Sequence, residues 1–164
     1  MHLDELNRAI LYRLQDGRRS FRRIAEELAV TENTVRARVN RMVESGVLEI
    51  RALVEPEAVP GGQLAVVGIK LATMDLVNKG EEISRLKGVV SVKVVTGRFD
   101  LIIEVLLTEG FGLLEFYTQE VSRVQEIDSV ETFIVYKSYN SKVPLNHKPE
   151  KLPGPAVLSG KERN

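Results

Sequence analysis

The sequence predicts an α+β protein of two domains, an N-terminal winged helix-turn-helix followed by a C-terminal βαββαβ, ferredoxin-like domain. Three observations predict it. Three capped amphipathic patterns fit within the first 46 residues, a proline- and glycine-rich break follows at 55–62, and strand and helix signals beyond it run in the order βαββαβ. The chain has 164 residues, 43% hydrophobic and 28% charged, a balance suited to globular domains with real cores.

The elements are justified in order. Leu3, Leu6, Ile10, Leu11 and Leu14 recur at three- and four-residue intervals around the N-cap candidate Asp4, and Gly17 supplies a stop. Ser20 caps a second pattern with Phe21, Ile24, Ala25 and Leu28 on one face, broken at Ala29-Val30-Thr31. Thr31 caps a third, in which Val35, Val39 and Met42 share a face and Gly46 ends the run. Val47 to Val54 is β-like and occupies the place of a wing. The first domain is therefore expected over 1–54, with a linker at 55–62 where two prolines and two glycines fall in eight residues.

The second domain is expected over 63–140. Leu64 to Ala72 reads as a buried strand and Leu76 to Leu86 as a helix. Val90, Val92 and Val94 alternate with Ser91 and Lys93, and Leu101, Ile103, Val105 and Leu107 recur at every second residue across the turn Gly97-Arg98-Phe99-Asp100. Phe111, Leu114, Tyr117, Val121 and Val124 mark a second helix, and Val130 to Tyr139 a last strand. Both parities of the strands carry Val, Ile or Leu, so the sheet face away from the helices needs a cover, and a homodimer through that face is expected. Residues 141–164 hold four prolines and many charges without periodicity, which predicts a disordered tail.

Composition narrows the chemistry. With no cysteine, and with histidine only at His2 and His147, no metal site or cofactor is expected. No apolar run approaches the roughly 18 residues of a membrane span, and Met1-His2-Leu3-Asp4-Glu5 lacks the order of a secretion signal, so a cytoplasmic protein without a membrane partner is expected. Neither a Ser-His-Asp nor a Cys-His set nor a glycine-rich phosphate loop is present, and the Glu26-Glu27 and Glu81-Glu82 pairs read as helix-surface charge, so an enzyme is not expected.

The formal charge of zero is unevenly distributed: +2 over 1–54, −5 over 55–140 and +3 over 141–164. All ten basic residues of the first segment are arginine, whose planar fork suits phosphate and guanine. If Val35, Val39 and Met42 face the core, the helical step turns Asn33, Ala37, Asn40 and Glu44 outward with Arg36 and Arg41 beside them. Asn33, Arg36, Ala37, Asn40 and Arg41 are the candidates for reading base edges of double-stranded DNA, Asn being suited to adenine and Arg to guanine. Arg38 lies nearer the core, where an ion pair to Glu26 or Glu27 competes with a DNA contact. Arg18, Arg19, Ser20, Arg22 and Arg23 at the start of the second helix, with Thr34, are the candidates for phosphate contact. The turn Gly97–Asp100 needs no function beyond joining two strands.

Leu3-Asp4 with Ile10-Leu11, Gly17-Arg18, Ala25-Glu26-Glu27-Leu28, Thr31, Val35, Arg38-Val39, Arg41 and Gly46-Val47 together resemble the DNA-binding half of Lrp/AsnC (feast/famine) transcription regulators. Val95-Thr96-Gly97-Arg98-Phe99-Asp100 is similar to the signature of that family's sensor domain, known as RAM, and the resemblance covers roughly residues 3–140. It implies a domain that dimerises face to face, often assembles into octamers, and binds a small effector, commonly an amino acid, between dimers. It places the effector site at Gly97, Phe99, Asp100, Gly110, Phe133, Ile134 and Val135, with Asp100 facing an α-ammonium group. The sequence departs from the family pattern at Asn7, where Asp is frequent, at Ala29, where Gly is usual, and at Gly110, where some relatives carry a larger side chain. Two other functions are compatible with this architecture: a DNA-architectural protein with little effector control, and an enzyme resembling the siroheme decarboxylases, which would use histidines that this second domain lacks.

Overall fold

The computed structural model describes residues 3–144, so all but the first four residues of the expected tail lie outside the described residues. It divides into two compact units, Met1–Arg51 and Ala52–Asn164.

The first unit holds α1 (Glu5–Leu14), α2 (Phe21–Leu28) and α3 (Glu32–Glu44), each opened by the residue the sequence nominates. Asp4, Ser20 and Thr31 accept from the backbone amides of Asn7, Arg23 and Thr34, satisfying donors that helix geometry leaves orphaned. Their apolar stripes meet in one core of Ile10, Ile24, Ala25, Val35, Val39 and Met42, with Phe21, Leu28, Val30 and Leu48 packed against it. Each such buried branched side chain contributes roughly 1.5–3 kcal/mol. The turn between α2 and α3 is closed by the Ala29 amide on the Ala25 and Glu26 carbonyls and the Val30 amide on Ala25. Ala29 takes the left-handed conformation, φ 53°, that this motif ordinarily gives to glycine.

The expected wing does not form as a hairpin. Within 47–54 only β1 (Leu53–Val54) is a strand, and it pairs antiparallel with β6 (Val143–Pro144), inside the stretch expected to be disordered tail. Val143 is 1% exposed, so apolar burial outweighs the polar composition around it. The linker is structured too: Pro56–Ala58 forms a 3-10 turn with Pro56 buried, and Gly62 lies so close that a Cβ there would meet the Pro56 carbonyl at 1.9 Å.

The second unit contains β2 (Gln63–Leu71), α4 (Leu76–Ser84), β3 (Val89–Val94), β4 (Leu101–Leu107), α5 (Leu113–Glu115) and β5 (Ile127–Ile134). The strand order is β3-β4-β2-β5 with every neighbouring pair antiparallel, the expected split βαβ arrangement. Past α5 the chain continues as a π-turn over Phe116–Glu120 and a 3-10 turn over Val121–Arg123, not as one α-helix. The wider turn lets neighbouring Phe116 and Tyr117 both serve the sheet: Phe116 is fully buried, and the Tyr117 hydroxyl hydrogen-bonds Thr132 on β5. β5 begins three residues before the expected Val130 and ends at Ile134, because its register follows β2, from Leu71 opposite Ile127 to Ala65 opposite Ile134.

Alternation assigns the two sheet faces. Ala65, Val67, Ile69, Leu71, Leu101, Ile103, Val105 and Leu107 are buried with Ile83 and Phe116. The other face is mixed. Val66, Ile102, Leu106 and Phe133 share it with Glu104, which accepts from Ser91 and Lys93, and with Lys70. Phe133 is 49% exposed.

Candidate nucleic-acid interface

The exposed side of α3 carries the predicted base-reading set. Val35, Val39 and Met42 point into the core, and Asn33, Arg36, Ala37, Asn40 and Arg41 are exposed. Among the described residues the side chains of Asn33, Asn40 and Arg41 make no hydrogen bond or ion pair, so three polar groups on one helix face stand open to an external partner. Arg36 is different: its Nη2 donates to Glu32 at 2.6 Å, and its guanidinium lies over the Phe21 ring, 5.5 Å from the centroid.

Arg38 does not pair with Glu26 or Glu27. It bonds Asp4, and its Nη1 donates to the Asn7 Oδ1 at 3.2 Å. Asn7 is 2% exposed, the only buried polar residue among those described, so Arg38 satisfies a carbonyl that would otherwise be stranded. The Arg38 guanidinium, with help from the Asn7 backbone amide, holds the Asp4 carboxyl below the ordinary carboxylate range. Here α3 is tied to the cap of α1, 34 residues away, a separation that a local reading of charges does not span.

The phosphate set is split by its neighbours. Arg19 and Arg13 both meet Glu27 at 3.0 Å, and with side chains only 28% and 24% exposed they cross-link α1, α2 and the turn before α2. Arg23 reaches Glu27 at 3.5 Å and Arg22 reaches Glu26 at 3.1 Å, both largely exposed. Arg18 is exposed and makes no ion pair among the described residues. The Ser20 hydroxyl caps α2 and the Thr34 hydroxyl contacts that of Thr31 at 2.9 Å. Arg18, Arg22 and Arg23 are thus the most available cations beside the N-terminus of α2, whose amides and dipole favour an anion.

In the second unit the seven candidate effector residues fall into two groups. Gly97, Phe99 and Asp100 sit against the end of β2: the Asp100 carboxylate accepts from Lys70 Nζ at 2.9 Å and the Leu71 amide at 2.8 Å, and its own amide donates to Ile69. These partners, the Leu71 amide foremost, keep the Asp100 carboxyl low. Phe99 covers Gly68 so closely that a Cβ there would stand 2.6 Å from the ring. Gly110, Phe133, Ile134 and Val135 lie at the other end, where Val135 bonds Leu64 and Leu107 pairs with Gln63. Along β2 the nearest members of the two groups, Phe99 over Gly68 and Phe133 opposite Val66, are two residues or about 7 Å apart, whereas Asp100 at Leu71 and Val135 at Leu64 are about 20 Å apart. A free amino acid cannot span the longer distance, so one chain alone does not bring all seven around one ligand. Gly110 has open space around its Cα.

Among the described residues no group of metal-ligating side chains is gathered and no helix is long and apolar enough to cross a membrane.

Residues 3–43 match the AsnC-type helix-turn-helix domain and residues 64–145 the Lrp/AsnC ligand binding domain. The chain is 34% identical over 135 residues to an uncharacterized HTH-type transcriptional regulator of Pyrococcus furiosus, covering 81% of this chain and 91% of that one. It is 26% identical to the HTH-type transcriptional regulator FL11 of Pyrococcus abyssi, covering 87% and 95%. Among solved structures, E. coli AsnC superposes with a TM-score of 0.64 at 25% identity over 84% of this chain and 95% of that chain. A Neisseria meningitidis regulator in complex with L-Met superposes at 0.63 with 21% identity over 89% and 99%. The chain belongs to the Lrp/AsnC family of transcriptional regulators, with one DNA-binding and one ligand-binding domain.

Proposed function

We propose that this regulator is sequence-specific: α3 reads base edges in the major groove of double-stranded DNA while Arg18, Arg22 and Arg23 hold the phosphates on either side. The observation that carries this reading is the unpartnered polar face of α3. Asn33, Asn40 and Arg41 are exposed and bonded to nothing within the described chain, so their donors and acceptors are free for the base edges whose patterns Asn and Arg match. Arg19 serves mainly to brace the helices that present this face.

A cytoplasmic homo-oligomer, a dimer through the second domain or an octamer of such dimers, would present paired copies of α3 to DNA. The partly exposed Val66, Ile102, Leu106 and Phe133 support that surface as the dimer face. The effector would be an amino acid bound where copies meet, since Asp100 and Val135, the far members of the candidate set, are too distant within one chain to share a ligand, and the L-Met complex of the Neisseria meningitidis regulator supports that class. No enzymatic activity and no cofactor are part of the reading.

Gel-shift titrations of the promoter of the protein's own gene against random DNA of equal length, at two salt concentrations, test it. Arg36→Ala and Asn40→Ala should relax sequence preference, whereas Arg22→Ala should weaken binding to all DNA alike and flatten the salt slope by about one unit per subunit contact. A dimer making about six to ten phosphate contacts loses roughly 10³ to 10⁵ in affinity between about 50 and 200 mM salt. Equal affinity of the wild-type protein for both DNAs would instead support an architectural role.

A further inference from the structure

We propose that Phe21 and Glu32 are positioning residues that hold the Arg36 guanidinium ready for a guanine edge, so that Phe21, on the helix before α3, sets sequence discrimination without touching DNA. The inference rests on the assignment of α3 as the base-reading helix. Its starting point is a contrast along that helix: Asn33, Asn40 and Arg41 are unheld, whereas Arg36 is restrained from two directions. The guanidinium carbon lies over the Phe21 ring, 5.5 Å from its centroid, so the ring face draws the cation to that side of α3. Glu32, one turn earlier, accepts from Nη2 at 2.6 Å, which limits its rotation. Two restraints from two different residues narrow the orientations open to the group.

They also leave the group usable. A guanidinium has five N–H donors, and Glu32 takes the only one engaged among the described residues. Its other four donors are unengaged among the described residues, so an edge with two parallel donors remains for the O6 and N7 of guanine. Phe21 is itself anchored, since it is half-buried and packs against the core of the first unit. A flexible arginine must surrender its rotamer freedom when it grips a base; one already stacked and paired has surrendered it on folding. The Arg36 side chain is 55% exposed, so the restraint does not bury it away from a duplex.

The test uses the full-length protein and a duplex enriched by the wild-type protein from a random-sequence library, with scrambled DNA of the same composition as competitor. Phe21→Leu, which keeps apolar bulk but removes the π face, should lower the affinity ratio between enriched and scrambled duplex by about two- to fivefold, the range of a partly exposed cation–π contact. Phe21→Tyr, which keeps the face, should restore the ratio. In an Arg36→Ala background Phe21→Leu should have no further effect, and the salt slope should not change, because no phosphate contact is lost. A purely structural role for Phe21 would show as an equal loss on both duplexes that persists without Arg36, and would overturn the proposal. If Arg36→Ala itself leaves discrimination intact, the base-reading assignment fails; if Arg36→Ala abolishes it while Phe21→Leu does not, the assignment stands and the positioning role falls. Should thermal melting show Phe21→Leu unfolded, Glu32→Gln on the exposed surface takes its place, with a smaller loss of discrimination expected and an unchanged ratio counting against the proposal.

Discussion

Removing Arg38 should unfold the first unit more readily without changing which DNA the protein prefers, and the structure sets the size of the effect. Arg38→Ala strands the Asn7 Oδ1, which is buried among the three helices and bonded to Arg38 at 3.2 Å. A buried acceptor left without its partner costs about 1–3 kcal/mol. The ion pair to Asp4 adds little to that figure because both side chains are partly solvated, at 33% and 49% exposed. With a urea dependence of about 1 kcal/mol per molar for so small a unit, the midpoint should fall by roughly 1–3 M, read from signals of α1 and α3. Asn7→Leu in the same background removes the stranded oxygen, so the double variant should be more stable than the two single losses added together. A wild-type midpoint for Arg38→Ala would refute the reasoning. So would a shift in preferred DNA sequence with unchanged stability, which would return Arg38 to the interface.

Ala29→Gly should stabilise the first unit by about 0.5–1 kcal/mol, because the left-handed penalty on an L-residue exceeds the extra freedom glycine gains in the unfolded chain; a lower urea midpoint would contradict it. Gly68→Ala should destabilise the second unit by about 1–3 kcal/mol as the new methyl displaces the Phe99 ring, detectable as earlier thermal unfolding of that unit alone. Asp4 and Asp100 have carboxyls held below their ordinary value, so near pH 4 the unfolded chain binds more protons than the folded one. Their contribution is present above about pH 4 and is lost as the pH falls through the folded values; a urea midpoint that stays constant from pH 5 to pH 2 would show the pairs to be inert.

Elements governed by local chemistry were legible in the sequence. The caps Asp4, Ser20 and Thr31 and the stripes Val35–Val39–Met42 and Leu101–Ile103–Val105–Leu107 each follow from neighbours within one or two turns or from strand alternation. What was misread depended on distant partners. Val47 to Val54 resembled a wing because β propensity says nothing about the partner, and the partner of Leu53–Val54 is Val143–Pro144, some 90 residues away in a stretch whose prolines suggested disorder. Tyr136 and Tyr139 extend the strand pattern to 139, yet both are at least 84% exposed and pairing with β2 stops at Ile134. In the candidate interface the outward face of α3 followed from periodicity, but the holders of its arginines did not. Glu32 beside Arg36 at one-turn spacing was visible; Phe21 beneath Arg36 and Asp4 with Asn7 beneath Arg38 required the packing of α1 and α2 on α3.

The most direct test of the central claim is chemical protection of guanine N7 in the enriched duplex, with and without the protein. Contact between α3 and the major groove should shield specific N7 atoms from methylation, and Arg36→Ala should re-expose at least one of them while phosphate protection by Arg18, Arg22 and Arg23 persists. Every N7 remaining reactive under saturating protein would contradict guanine reading by Arg36 on α3.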